Sequence, residues 1–136
     1  MRKTRLDKYG RISRLLVGKG RQTNLEIFEA LVLNGPMTVW QITEKVLGFR
    51  LGRDPKYKEL QKFYSTVYKA ISKMEEYGYV LKYGFTKHKT HKDQKLPLYA
   101  LTFKGMMVSM VVSERVRQNW HLWIQNNLMK DKEIPE

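Results

Sequence analysis

The densest run of chemically capable side chains is Lys87-His88-Lys89-Thr90-His91-Lys92-Asp93-Gln94-Lys95. Lys87, Lys89, Lys92 and Lys95 carry fixed positive charge, and His88 and His91 can add to it. Such a segment suits phosphate neutralisation better than bond breaking. Upstream, Lys62, Ser65, Thr66, Lys69, Ser72 and Lys73 recur at helical spacing. Lysine can reach guanine O6 and N7, while serine and threonine serve base edges or phosphates. Arg, Asn and Gln, the strongest bidentate base readers, are missing from that face, so modest sequence preference helped by DNA shape is expected. A third basic group, Arg2, Lys3 and Arg5, would add a backbone or minor-groove grip.

Other chemistry finds little support. His88 and His91 are spaced as metal ligands could be, but there is no cysteine and only Asp93 nearby, so no metal and no cofactor is expected. Ser65 and Ser72 have no histidine partner at a meaningful spacing, and Gly18-Lys19-Gly20 is too short for a phosphate-binding loop. A binding protein is expected, not an enzyme. Trp40, Trp120 and Trp123 read as core or interface anchors.

The net charge of +13 is unevenly distributed. Residues 1–23 hold eight Lys/Arg against one Asp, and residues 82–104 hold six Lys against one Asp. Those two segments carry +12 of the total, and the rest is close to neutral. A chain charged for solubility alone would spread its lysines out, whereas two concentrated segments form the footprint of a polyanion-binding surface. A solubilising loop tip and a disordered basic tail are the plain alternatives. With 136 residues and 42% hydrophobic content, one core-bearing domain is expected. The lack of a long apolar run or signal peptide points to a cytoplasmic protein with no membrane partner.

The elements that must position these groups follow from periodicity. Residues 1–23 read as an extended or partly ordered arm. Asn24 could cap a first helix over 25–33, with Leu25, Phe28, Leu31 and Val32 on its apolar side, stopped by Asn34-Gly35-Pro36. Thr38-Val39-Trp40-Gln41 has the form of a capping box, opening a second helix whose stripe is Val39, Ile42 and Val46 and which ends near 47–48. Residues 48–57 then form a loop. A third helix starts between Tyr57 and Lys62 and runs to Tyr77, burying Phe63, Val67, Ala70, Ile71 and Met74, with Gly78 as cap. Residues 79–85 and 98–103 read as strands flanking the long charged loop. A final long helix is expected over 104–129.

The order of three helices, strand, basic loop and strand resembles winged helix-turn-helix proteins. Residues 66–80, Thr-Val-Tyr-Lys-Ala-Ile-Ser-Lys-Met-Glu-Glu-Tyr-Gly-Tyr-Val, resemble the pattern T-[LV]-Y-R-x-L-x-x-L-E-x-x-G-[LY]-[VI] found in PadR- and MarR-like prokaryotic regulators. Leu98-Tyr-Ala-Leu-Thr-Phe-Lys-Gly105 looks like their returning strand, which often ends in Tyr-x-Leu-Thr-x-x-Gly. The resemblance covers residues 24–105. It implies an α+β winged helix-turn-helix domain of three helices and a β-hairpin wing; the additional long C-terminal helix, residues 1–23 and the 48–57 loop lie outside the resemblance. The division expected is a basic arm at 1–23, the domain at 24–105, a dimerisation helix at 106–130 and a tail at 131–136. It further implies a transcriptional regulator associated with the nucleoid, binding double-stranded DNA with helix 62–77 in the major groove and the wing on the backbone. In such proteins terminal helices commonly build a twofold interface, so a homodimer is expected through Met110, Val116, Trp120, Trp123 and Ile124, with a simple core helix as the alternative. The alternatives are a protein-interaction module, or a binder serving RNA or replication.

Overall fold

The structure is a computed structural model that describes residues 20–87 and 95–126. These residues form an α+β unit of five helices and one antiparallel hairpin. The helices are α1 (Arg21–Asn34), α2 (Val39–Leu51), α3 (Tyr57–Glu76), α4 (Phe103–Val112) and α5 (Glu114–Ile124). The strands are β1 (Val80–Lys87) and β2 (Lys95–Leu101), between α3 and α4.

The core is organised around α1, which touches all four other helices and β2. Ile27, Phe28, Leu31 and Val32 are buried, and the helix begins one turn earlier than the sequence predicts. Asn24 therefore lies inside α1 and is buried instead of capping it. The extra turn is held within the helix by Gln22, which donates to Glu26 at 3.1 Å, and from outside by Arg50 of α2, which donates to both Thr23 and Glu26.

α2 begins as its sequence dictates. The Gln41 N–H donates to Thr38 Oγ1 at 3.2 Å and the Thr38 N–H to Gln41 Oε1 at 2.9 Å, the two halves of a capping box. It continues past the predicted end at 47–48 to Leu51, where Gly52 takes the left-handed conformation (φ 73°). The connection to α3 is thus residues 52–56, not the predicted loop over 48–57.

Val80 pairs with Leu101 and Lys87 with Lys95, so both strands extend farther toward the tip than predicted, and β2 ends at Leu101 instead of reaching 103. The register shifts between Lys82 and Gly84, a bulge that adds local twist. Met37, between α1 and α2, adds a third pairing that periodicity could not show. Its N–H donates to Tyr99 O at 3.1 Å and the Tyr99 N–H returns a bond to Met37 O at 2.7 Å. The hairpin is thereby tied to the α1–α2 connection.

The predicted single helix over 104–129 is two helices within the described residues. Ser113 adopts extended dihedrals (φ −128°, ψ 117°) and caps both sides of the break. Its N–H ends α4 on Ser109 O at 2.9 Å. Its hydroxyl accepts from Val116 N at 3.1 Å and donates to Glu29 at 2.8 Å. The turn folds α5 back against α1.

Candidate nucleic-acid interface

α3 is held at both ends and along one side, which is what lets the other side present side chains in fixed register. Leu60, Val67, Ile71 and Met74 are buried, with Phe63 and Ala70 partly buried beside them. At the start of the helix, Arg53 makes a fork to Glu59 through bonds of 3.0 and 2.7 Å, and Glu59 also accepts the Lys56 N–H at 2.7 Å. The Arg53 guanidinium, aided by that N–H, holds the Glu59 carboxyl down to about 2.

The far end closes in a Schellman motif. The Tyr79 N–H reaches Met74 O at 2.8 Å and the Gly78 N–H reaches Glu75 O at 3.0 Å, with Gly78 at φ 83°. Gly78 was the expected cap, and its positive φ is the reason for glycine there. Thr102 then clasps this end to α4. Its hydroxyl donates to Gly78 O at 2.7 Å and accepts the Gly105 N–H at 3.0 Å. Lys104 adds a bond from Nζ to Tyr77 O at 3.0 Å.

Lys62, Ser65, Thr66, Lys69, Ser72 and Lys73 are all exposed on the side of α3 that the core leaves free. Among the described residues Lys62, Lys69 and Lys73 make no ion pair with a carboxylate. No carboxylate among the described residues therefore neutralises them directly, although Glu76 shares the exposed side.

Of the wing residues, Lys95 is exposed at the start of β2, and Lys87 contributes its backbone to the facing position of β1. His88, Lys89, His91 and Lys92 lie outside the described residues, as do Arg2, Lys3 and Arg5. The pairing of Lys87 with Lys95 nevertheless sets where the seven connecting residues 88–94 leave and re-enter the sheet.

The positions expected to face a second copy divide. Val116 (1% exposed) and Trp123 (8%) belong to the chain's own core, and Trp123 Nε1 donates to Leu101 O at 3.1 Å. The break at Ser113 turns them inward, so they offer no surface to a partner. Met110 and Ile124 pack against the same core and are partly buried, while Trp120 is exposed. A different stripe lies open: Phe103, Met107 and Val111, spaced by four along α4. Gly105, Met106 and Ser109 occupy the buried side of the same helix.

Sequence reasoning passed over a row of rings beside the polar face. Trp40 of α2 lies 5.7 Å from Tyr57 and 5.8 Å from Tyr64, and Tyr64 stacks on Tyr68 at 6.2 Å with 14° between planes. Burial, and then Tyr68 nearby, push the Tyr64 hydroxyl above its ordinary value. The recurrence of tyrosine at 57, 64 and 68 was the available signal.

Among the described residues no three His, Cys, Asp or Glu side chains converge as a metal-ligand set. No described helix is long and apolar enough to cross a membrane. No protein-family model, curated protein or solved structure matches the chain.

Proposed function

We propose that the chain is a winged helix-turn-helix protein that binds double-stranded DNA as a homodimeric transcriptional regulator of the PadR- and MarR-like kind. The observation that carries the reading is the exposed face of α3. Six residues able to bond base edges or phosphates lie along a helix anchored at both ends, with three lysines that make no ion pair among the described residues. The element order and the Met37–Tyr99 pairing, which adds a short third partner to the hairpin, agree with a winged-helix arrangement.

In this reading α3 enters the major groove, and Lys69 and Ser72 meet base edges. Lys87, Lys89, Lys92 and Lys95 hold the flanking phosphates, with His88 and His91 beside them, and Arg2, Lys3 and Arg5 add a second grip. Regulation is by occupancy of the site, and the chain performs no reaction. Two copies would present their α3 helices to successive major grooves about one helical turn apart. With Val116 and Trp123 buried inside each chain, the α4 stripe Phe103, Met107 and Val111 is an exposed apolar surface that could serve that dimer.

The test is a duplex titration across salt concentrations. Contact with about six phosphates predicts a slope of log K against log salt near −5. Lys69→Ala and Ser72→Ala should weaken preferred sites more than random duplex, while Lys89→Ala and Lys92→Ala should weaken both alike. A slope near zero, or no capture of duplex, defeats the proposal.

A further inference from the structure

The ring row along α3 has the chemistry of a second nucleic-acid surface. Tyr57, Tyr64 and Tyr68 fall at i, i+7 and i+11, a stripe between the core side and the lysine-bearing side of the helix. Trp40 sits between Tyr57 and Tyr64, so four rings from two helices make a continuous row. The two ends are open: Tyr57 is 65% exposed and Tyr68 is 49% exposed.

Mutual packing accounts for Trp40 and Tyr64 in the middle of the row, but not for large flat rings left in water at its ends. Charge selects what would cover them. Lys58, Lys62 and Lys69 on the adjoining face are exposed and make no ion pair among the described residues. Glu59, two residues after Tyr57, is clasped by Arg53. Glu75, seven residues beyond Tyr68, falls on the same stripe and sets its limit. The occupant must therefore be anionic and must also offer flat apolar faces. A duplex supplies the charge but hides its base faces in the stack, whereas a single strand offers both.

We infer that Tyr57, Trp40, Tyr64 and Tyr68 form a stacking platform for unpaired bases of a single-stranded nucleic acid whose phosphates lie against the neighbouring lysines. The inference does not rest on duplex recognition by Lys69 and Ser72. It adds a second substrate form, such as a locally opened stretch beside a duplex site.

The experiment uses the full chain and labelled oligothymidylate, oligouridylate and a duplex of equal length, at low and moderate salt. Tyr57→Ala/Tyr68→Ala is compared with Tyr57→Phe/Tyr68→Phe, which keeps the rings and loses only the hydroxyls. Both positions are exposed and helical, and a thermal melt of each variant reports folding. The alanine pair should lose roughly tenfold or more in single-strand affinity, with duplex affinity unchanged, and the phenylalanine pair should bind like wild type. The tighter of the two homopolymers identifies the strand as DNA or RNA. Wild-type single-strand affinity in the folded alanine pair, or no single-strand capture by wild type, overturns the inference. Failure of duplex recognition would show separately, as an absence of effect from Lys69→Ala and Ser72→Ala on duplex.

Discussion

Gly105 carries a constraint out of proportion to its size. A Cβ at this position would stand 2.2 Å from Tyr79 O and 2.9 Å from Leu101 Cδ1, and the first of these is backbone that cannot step aside. The close approach lets the Gly105 N–H reach Thr102, whose hydroxyl in turn holds Gly78 at the end of α3. Propensity and packing predict opposite outcomes for Gly105→Ala. An ordinary helix interior gains up to about 1 kcal/mol from this change, whereas overpacking against fixed backbone costs about 1–3 kcal/mol. Packing should win here, and a lowered denaturant midpoint at unchanged slope would register it. The glycine was visible in the Tyr-x-Leu-Thr-x-x-Gly run, but its cause is a contact with Tyr79, twenty-six positions away in the chain. Spacing alone could not supply that cause.

At the scale of elements, α3 is the helix whose ends decide the site. Its first turn depends on Glu59, whose carboxyl is held at about 2, against an ordinary value of 4.5, by the Arg53 fork and then the Lys56 N–H. Because the folded value lies below the unfolded one, the clip contributes fully above 4.5 and is lost as pH falls through about 2. The pair is exposed and screened, so the effect should be modest. Thermal melts of wild type and Glu59→Gln should differ near neutral pH and converge toward about 2. A difference unchanged across that window would mean that the fork contributes nothing. Cap chemistry made much of this level legible. Thr38 with Gln41, and Gly78 after Tyr77, act within one turn, so local sequence is sufficient to specify them. Ser113 was harder to read. A serine before Glu114 is an N-cap signal, but the apolar residues on either side made one uninterrupted helix equally consistent with periodicity. The bond from Ser113 to Glu29 settles the break, and its partner lies on α1.

For the whole molecule, charge and apolar surface divide between opposite tasks. Residues 1–23 and 82–104 hold +12 of the +13, so the charge is concentrated in two segments of the chain. α4, by contrast, is largely apolar all round: Met106 faces the core with Gly105 and the internally bonded Ser109, while Phe103, Met107 and Val111 face outward. A helix apolar all round is ordinarily covered on all sides. If a second copy provides the cover, light scattering should give twice the chain mass for wild type and a single-chain mass for Met107→Glu/Val111→Glu with the fold retained. A monomeric wild type at micromolar concentration would remove the dimer from the proposed function. The same variant should leave the melt close to wild type, since both positions are exposed.

Composition and local spacing alone determined the basic segments, the capping box at Thr38, the buried face of α3 and the order of helices and strands as far as β2. These depend on residues within a few positions of one another, where backbone geometry sets the neighbours. Only the tertiary structure decided which side of each apolar helix faces the chain's own core. It placed Val116 and Trp123 inside and left Phe103, Met107 and Val111 out. It also set Met37 against Tyr99, closed Thr102 on Gly78 and slid Trp40 between two tyrosines of another helix. The physical reason is common to all of these. Each depends on a contact between segments distant in the chain, and periodicity records that a face is apolar without recording what will cover it.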